Sequence, residues 1–173
     1  MPTDNRTLIM TRADLDDLSD AALPTGVSLR PYCAGDKAVW TQIWRDAEPF
    51  DAIKDSTFHE SLGADEGVLS ERVWFAVDDA TGEAIGTVTA WSEPKSSESH
   101  PAQRGFGRVH WVAVVPTWQG RGIGQAMLRH CLTELRRFGH NETFLVTSAG
   151  RTGAVALYQK HGFVVAEMDA SGE

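Results

Sequence analysis

The sequence predicts a single-domain mixed α/β (α+β) fold, one sheet with about four helices on its faces, and three observations carry that reading. The chain has 173 residues, 42% of them hydrophobic, which is enough for one sizeable core and cramped for two. Strand-like and helix-like patterns follow in the order strand, two helices, three strands, helix, strand, helix, strand, with no internal repeat or second zone of composition. An apolar run stopped by Pro116 then leads through a glycine-rich turn into one long amphipathic helix.

Residues 1–26 are polar, end in an acidic run, and read as a loosely held arm or an extra edge element; residues 27–169 form the domain and 170–173 a tail. Residues 27–31 read as a short strand. Asp36 is expected to cap a helix whose apolar face carries Val39, Trp40, Ile43 and Trp44, and a second short helix near Asp55 uses Phe58 and Leu62. Residues 73–77 and 84–91 flank Asp78, Asp79, Thr81 and Gly82, the turn chemistry of an antiparallel hairpin. Residues 93–107, rich in Ser, Pro, Gly and charge, read as a mobile loop of the kind that frames binding sites when held on a rigid sheet. Residues 109–115 form a strand closed by Pro116, which has no N–H to give to a sheet ladder.

From Ile123 the apolar residues recur at Met127, Leu128, Cys131, Leu132, Leu135 and Phe138. Arg129, Glu134, Arg136 and Arg137 fill the other side, and Gly139 ends the pattern. Residues 144–147 make a strand, 153–160 a short helix stopped by Gly162, and 163–168 a last strand.

Composition excludes several classes of function. A net charge of −8 speaks against general nucleic-acid binding, which needs clustered Lys and Arg to displace counterions. No stretch approaches the roughly 18 apolar residues of a membrane helix, and the start MPTDNRTLIM lacks the plan of a secretion signal, so the expectation is a soluble cytoplasmic protein without membrane partners. Cys33 and Cys131 lie far apart with no CxxC and no paired histidine spacing, so neither a metal site nor a disulfide framework is indicated, and Cys131 falls on an apolar helix face.

Chemistry concentrates at Gln119-Gly120-Arg121-Gly122-Ile123-Gly124, where a strand passes into the long helix. Glycine there permits the torsions of a tight loop and lets a bulky anion such as pyrophosphate approach the peptide N–H groups. Those groups are the unpaired donors of a helix start, where the helix dipole adds partial positive charge, and Arg121 adds a full one. The turn lacks the Gly-Lys-Ser/Thr ending of a Walker loop, and it comes too late in the chain for a dinucleotide fingerprint. The alternative, a turn that only lets helix and strand pack, stays open at this stage.

This turn, its flanks and the segment LYQKHGF resemble the GCN5-related N-acetyltransferase (GNAT) family. The family's pyrophosphate turn reads Gln or Arg, two residues, Gly, one residue, Gly or Ala, and Gln119, Gly122 and Gly124 fill those positions. WVAVVP looks like the family's central strand, and the likeness spans roughly residues 27 to 169. It implies a mixed, mostly antiparallel sheet splayed between its fourth and fifth strands, with the pantetheine of acetyl-CoA in the gap. By the same likeness Val112, Ala113 and Val114 offer backbone hydrogen bonds to pantetheine, and Gln119, Gly120, Arg121, Gly122, Ile123, Gly124 and Gln125 hold the pyrophosphate. Where the family often has an asparagine touching the cofactor arm, this chain has Arg151, which would instead reach the CoA phosphates.

Acetyl transfer to an amine needs a neutral nucleophile, a stabilised oxyanion and a proton for the leaving thiolate. Tyr158 suits the last need, because a phenol of pKa about 10 is protonated at neutral pH, and the resemblance puts the family's general acid there. The N–H of Val114 is the expected oxyanion donor. His110, two residues before Val112, shares its face by period-two alternation and is the candidate base, ahead of Glu48, Asp51 and His59; a satisfied structural histidine is the alternative. Trp40, Trp44, Phe50, Phe58 and Trp91 are candidates to line the acceptor pocket, although aromatics at helical spacing are more often core. The expected partners are acetyl-CoA and an amine acceptor, a small molecule first, with protein or peptide acetylation and a non-catalytic acyl-CoA-binding module as alternatives. Monomer and homodimer both remain open.

Overall fold

A computed structural model describes residues 4–18, 22–92 and 105–168, so most of the predicted loop at 93–107 and all of the tail at 170–173 lie outside the described residues. In chain order the elements are β1 (Thr7–Arg12), β2 (Val27–Pro31), α1 (Asp36–Ala47), α2 (Thr57–Leu62), α3 (Glu66–Arg72), β3 (Val73–Asp78), β4 (Ala84–Ser92), β5 (Gly107–Val114), α4 (Ile123–Arg137), β6 (Thr143–Ser148), α5 (Thr152–Lys160) and β7 (Val164–Met168). The fold is mixed α/β, as predicted. Its residues pack as two compact units, Ser19–Ala90 with Trp111–Cys131, and Met1–Leu18 with Trp91–His110 and Leu132–Glu173. β5 and α4 each contribute residues to both units.

In the first unit the strand order is β2-β3-β4-β5. β2 and β3 pair antiparallel from Val27↔Asp78 to Pro31↔Trp74, and β3 and β4 from Val73↔Thr89 to Val77↔Ala84 with one register shift. The 78–82 segment closes the hairpin as expected: Gly82 N–H donates to the Asp78 carbonyl at 2.7 Å and the Thr81 hydroxyl to the Asp78 carboxylate at 2.9 Å.

Asp36 is not the cap of α1 but its first residue. Gly35, at φ 97°, takes the cap position, while the Asp36 carboxylate accepts the Cys33 N–H at 2.7 Å and pairs with Arg30 at 2.6 Å. The helix is thus tied to β2 through Arg30. α3 was missed because its polar stretch shows no apolar stripe, and its stability is local: the Asp65 carboxylate accepts the Gly67 and Val68 N–H groups at 3.0 and 3.1 Å. Trp40, Phe58, Leu69, Phe75, Val88 and Met127 are fully buried and make this unit's core.

The second unit runs β5-β6-β1-β7. β1 is an interior strand rather than an arm or edge, antiparallel to β6 from Thr7↔Ser148 to Arg12↔Thr143 and to β7 from Leu8↔Met168 to Thr11↔Val164. Its alternation was hidden because only Leu8 and Met10 of TLIMTR are buried and polar residues surround the run. β5 and β6 pair in parallel at Gly107↔Thr143 and Arg108↔Phe144. Arg12 then fixes the end of α5: its guanidinium donates to the carbonyls of His161, Asp14 and Asp16 at 2.9, 2.9 and 3.0 Å. A cation at a helix C-terminus also complements the helix dipole.

Gly86, inside β4, marks a close approach that sequence reading passed over. A β-carbon there would lie 3.0 Å from the Ala113 carbonyl oxygen of β5 and 3.0 Å from the Met127 methyl of α4. The methyl can swing aside, but the backbone oxygen cannot without moving β5. Gly86→Ala is therefore expected to lower stability by about 1–3 kcal/mol, the usual penalty of overpacking, read from chemical denaturation against wild type.

Candidate functional site

The glycine turn is anchored before it begins. Pro116–Trp118 forms a 3-10 turn after β5, with the Trp118 N–H donating to the Val115 carbonyl at 2.9 Å. The Gln119 side-chain amide reaches back to the Val114 carbonyl at 2.9 Å, so its position is set by the end of β5. Gly120 and Gly122 lie at φ 75° and 82°, with open space where a β-carbon would be. The requirement for glycine is thus backbone torsion, not room.

The Ala126 N–H closes the first helical turn on the Gly122 carbonyl at 3.1 Å, and buried Ile123 holds the helix start in the core. The amides ahead of Ala126 face outward from the helix end, as in any helix start, and the first turn carries no acidic residue to compete for them. Exposed Arg121 lies over the Trp118 ring, 4.6 Å from its centroid. One short segment therefore brings together Val114, Gln119, Gly120, Arg121, Gly122, Ile123, Gly124 and Gln125.

Just upstream, β5 is distorted. Trp111 adopts φ 51°, a left-handed torsion unusual for so bulky a residue. Its ring sits edge-on to Trp40 and Trp44 at 5.1 and 4.8 Å, and Trp40 packs edge-on to Phe58 at 5.2 Å. Trp40, Trp44 and Phe58 are buried, and Phe58 also stacks on Tyr32 at 5.8 Å, so their observed partners are other aromatic rings of this unit. The indole N–H groups of Trp40 and Trp44 have no hydrogen-bond partner among the described residues. Because the pleat is interrupted at Trp111, alternation alone no longer puts His110 on the face of Val112. Phe50 is half-buried, and the Glu48 carboxylate accepts the Phe50 and Asp51 N–H groups at 2.7 and 3.3 Å, which engages it locally. His59 is exposed beside the Phe58 ring, and Trp91 is half-buried near the end of β4.

The second unit holds the other candidates. Burial pushes the His110 imidazole well below its ordinary pKa, and the charge of Arg108 pushes it the same way. It is therefore neutral at neutral pH. Tyr158 is buried on α5 at 7% exposure, edge-on to Phe163 at 6.0 Å. Its carbonyl accepts the His161 and Phe163 N–H groups at 3.0 and 3.1 Å, so the Arg12 clamp on His161 acts one turn from the phenol. Arg151 precedes α5, half-buried, its N–H donating to the Ser148 carbonyl at 3.1 Å. The turn thus belongs to one unit, and His110, Tyr158 and Arg151 to the other. Among the described residues no group of three or more His, Cys, Asp or Glu could hold a metal ion, and no helix is long and apolar enough to cross a membrane.

Sequence reading passed over Gly86, Trp118 and the torsion at Trp111. A glycine inside a strand pattern was a usable signal for the first, and an aromatic three residues from an arginine for the second. The sequence carries no sign of the third, which depends on packing against distant residues.

Residues 37–163 match the sequence model of the acetyltransferase (GNAT) family. The mycothiol acetyltransferase of Pseudarthrobacter chlorophenolicus is 34% identical over 172 residues, 92% of this chain and 49% of that protein. Its counterpart in Paenarthrobacter aurescens is 34% identical over 151 residues, 85% of this chain and 45% of that protein. This chain spans about half the length of these curated relatives. A GCN5-related N-acetyltransferase from Sphaerobacter thermophilus superposes with a TM-score of 0.73 at 24% identity, over 95% of this chain and 50% of that one. A tandem GNAT protein from the clavulanic acid biosynthesis pathway gives 0.67 at 16% identity, over 95% and 51%. At such identities the structural likeness speaks for the fold alone.

Burial of neutral His110 also links folding to pH. Below the ordinary imidazole value of about 6.5, the unfolded chain takes up a proton that the folded chain refuses, so this contribution is complete above that pH and is lost as pH falls toward the depressed folded value. Between about pH 7 and pH 5, the unfolding free energy of wild type should fall more steeply than that of His110→Gln, by up to about 1.4 kcal/mol per pH unit, measured by urea titration.

Proposed function

We propose that this chain, which belongs to the acetyltransferase (GNAT) family, moves an acetyl group from acetyl-CoA directly to the primary amine of a small molecule within a ternary complex. One observation carries the reading: a glycine turn, pinned by Gln119 to the end of β5, opens a long helix whose first turn has no acidic residue and carries Arg121 beside it. Those are the donors a pyrophosphate needs, and they fit the cofactor despite the net charge of −8, because the positive potential is local. Acetyl-CoA supplies the activated acyl group. Gln119, Gly120, Arg121, Gly122, Ile123, Gly124 and Gln125 would hold its pyrophosphate, with Arg151 on a phosphate and the backbone of Val112, Ala113 and Val114 along the pantetheine.

In the chemical step the Val114 N–H meets the oxygen that gains charge, and Tyr158 gives its hydroxyl proton to the departing sulfur. His110 takes the proton of the attacking amine, directly or through water; its neutral form, favoured by burial, is the one able to do so. Tyr158 is suited to act at a fixed point because the far end of α5 is held by Arg12. The name of the relatives, mycothiol acetyltransferase, makes the des-acetyl form of mycothiol the first acceptor to try.

A CoA-release assay over amines, polyamines, amino acids, peptides and des-acetyl mycothiol tests the proposal. Tyr158→Phe should lower kcat by about 10²-fold or more while acetyl-CoA binding, measured by calorimetry, stays within about twofold. His110→Ala should lower kcat as well and remove an acidic limb that in wild type lies below the ordinary imidazole value of about 6.5. Acetyl-CoA binding without turnover of any acceptor would favour a binding module, turnover confined to peptides would favour protein acetylation, and no binding would overturn the reading.

A further inference from the structure

We propose that Trp118 is a positioning residue for the cofactor: its indole face holds the Arg121 guanidinium at the glycine turn, set in advance to meet phosphate oxygens of CoA. The inference rests on the reading of this turn as a phosphate site. Arg121 is exposed and lies between two glycines at φ 75° and 82°, so no neighbouring side chain restricts it along the backbone. A long side chain in that setting samples many rotamers and loses them when it closes on a ligand. The aromatic contact at 4.6 Å removes much of that freedom beforehand.

The backbone of Trp118 is itself fixed. Pro116 locks the first torsion of the 3-10 turn, the Trp118 N–H is bonded to the Val115 carbonyl at 2.9 Å, and the next residue is bonded through its side chain to Val114 at 2.9 Å. A line of constraint therefore runs from β5 through Trp118 to the guanidinium. Stacking suits this task better than an ion pair would. A carboxylate would neutralise Arg121 and occupy its N–H donors, whereas a ring face leaves the charge intact and the in-plane donors free for bidentate contact with phosphate. Arg121 makes no ion pair among the described residues, and the first turn of α4 has no acid.

A double-mutant cycle tests the coupling. Wild type, Trp118→Leu, Trp118→Phe, Arg121→Gln and the Trp118→Leu/Arg121→Gln pair are titrated calorimetrically with acetyl-CoA and with its 3′-dephospho form, after thermal melts establish that each is folded. Trp118→Leu should weaken acetyl-CoA binding about 3- to 10-fold, Trp118→Phe should restore most of it, and Trp118→Leu should add nothing once Arg121 is Gln. The loss should appear in the KM for acetyl-CoA with kcat retained. If the Arg121→Gln penalty disappears with the 3′-dephospho form, the partner is the 3′-phosphate; if it persists, the partner is the pyrophosphate. Independent effects, no effect of Trp118→Leu, or tighter binding in that variant would overturn the proposal, the last because the ring would then be withholding Arg121. Failure of wild type to bind acetyl-CoA would instead overturn the phosphate-site reading itself, and the coupling with it.

Discussion

A tryptophan at φ 51° in the middle of a β-strand is held by its neighbours or it does not persist. Left-handed torsion at a bulky residue costs on the order of 1–3 kcal/mol, and here the ring packs edge-on against Trp40 and Trp44. Those residues come from one face of α1, and Phe58 of α2 completes the cluster. Most of the first unit's aromatic core is therefore organised around the point where β5 departs from regular pleating. The carbonyl that Gln119 grips lies three residues beyond that torsion on the same strand.

The electrostatic design follows the same pattern of local provision against the general trend. The chain is acidic overall, with 24 Asp and Glu against 16 Lys and Arg, yet the segment from Pro116 to Gln125 contains no acid and one exposed arginine. Several acidic side chains elsewhere are engaged by backbone donors: Asp65 on α3, Asp36 on the entry to α1, Glu48 on the chain after it. Such carboxylates are engaged at short range, and their field at a distance is further screened by salt. A net charge of this sign is thus compatible with a strong anion site.

The parts of the fold legible in the sequence are those whose signal is local and periodic. The α4 helix was read from Ile123 because its apolar residues recur every three or four positions, and the 73–92 hairpin because its turn residues are specific to turns. β1 was not legible, because pairing on both sides is decided by strands far along the chain rather than by its own pattern. At the site, the spacing of Gln119, Gly122 and Gly124 was enough to locate the turn. The break at Trp111 was not, since a torsion imposed by tertiary packing leaves no trace in residue spacing, and it removes the simple alternation from which the side of His110 was inferred.

The interior place of β1 has a bearing on how the protein comes to fold. The hydrogen bond from Arg12 to His161 joins residues 149 positions apart, and the strand that carries Arg12 has no partner until β6 and β7 exist. Until those two strands form, this segment stays unpaired. Non-local pairing of this kind is slow to reach, because loop closure must precede the contacts that reward it. The polar sequence around β1, which concealed it from pattern reading, keeps that waiting strand from being a sticky one, so the same feature that makes it hard to recognise makes the delay tolerable.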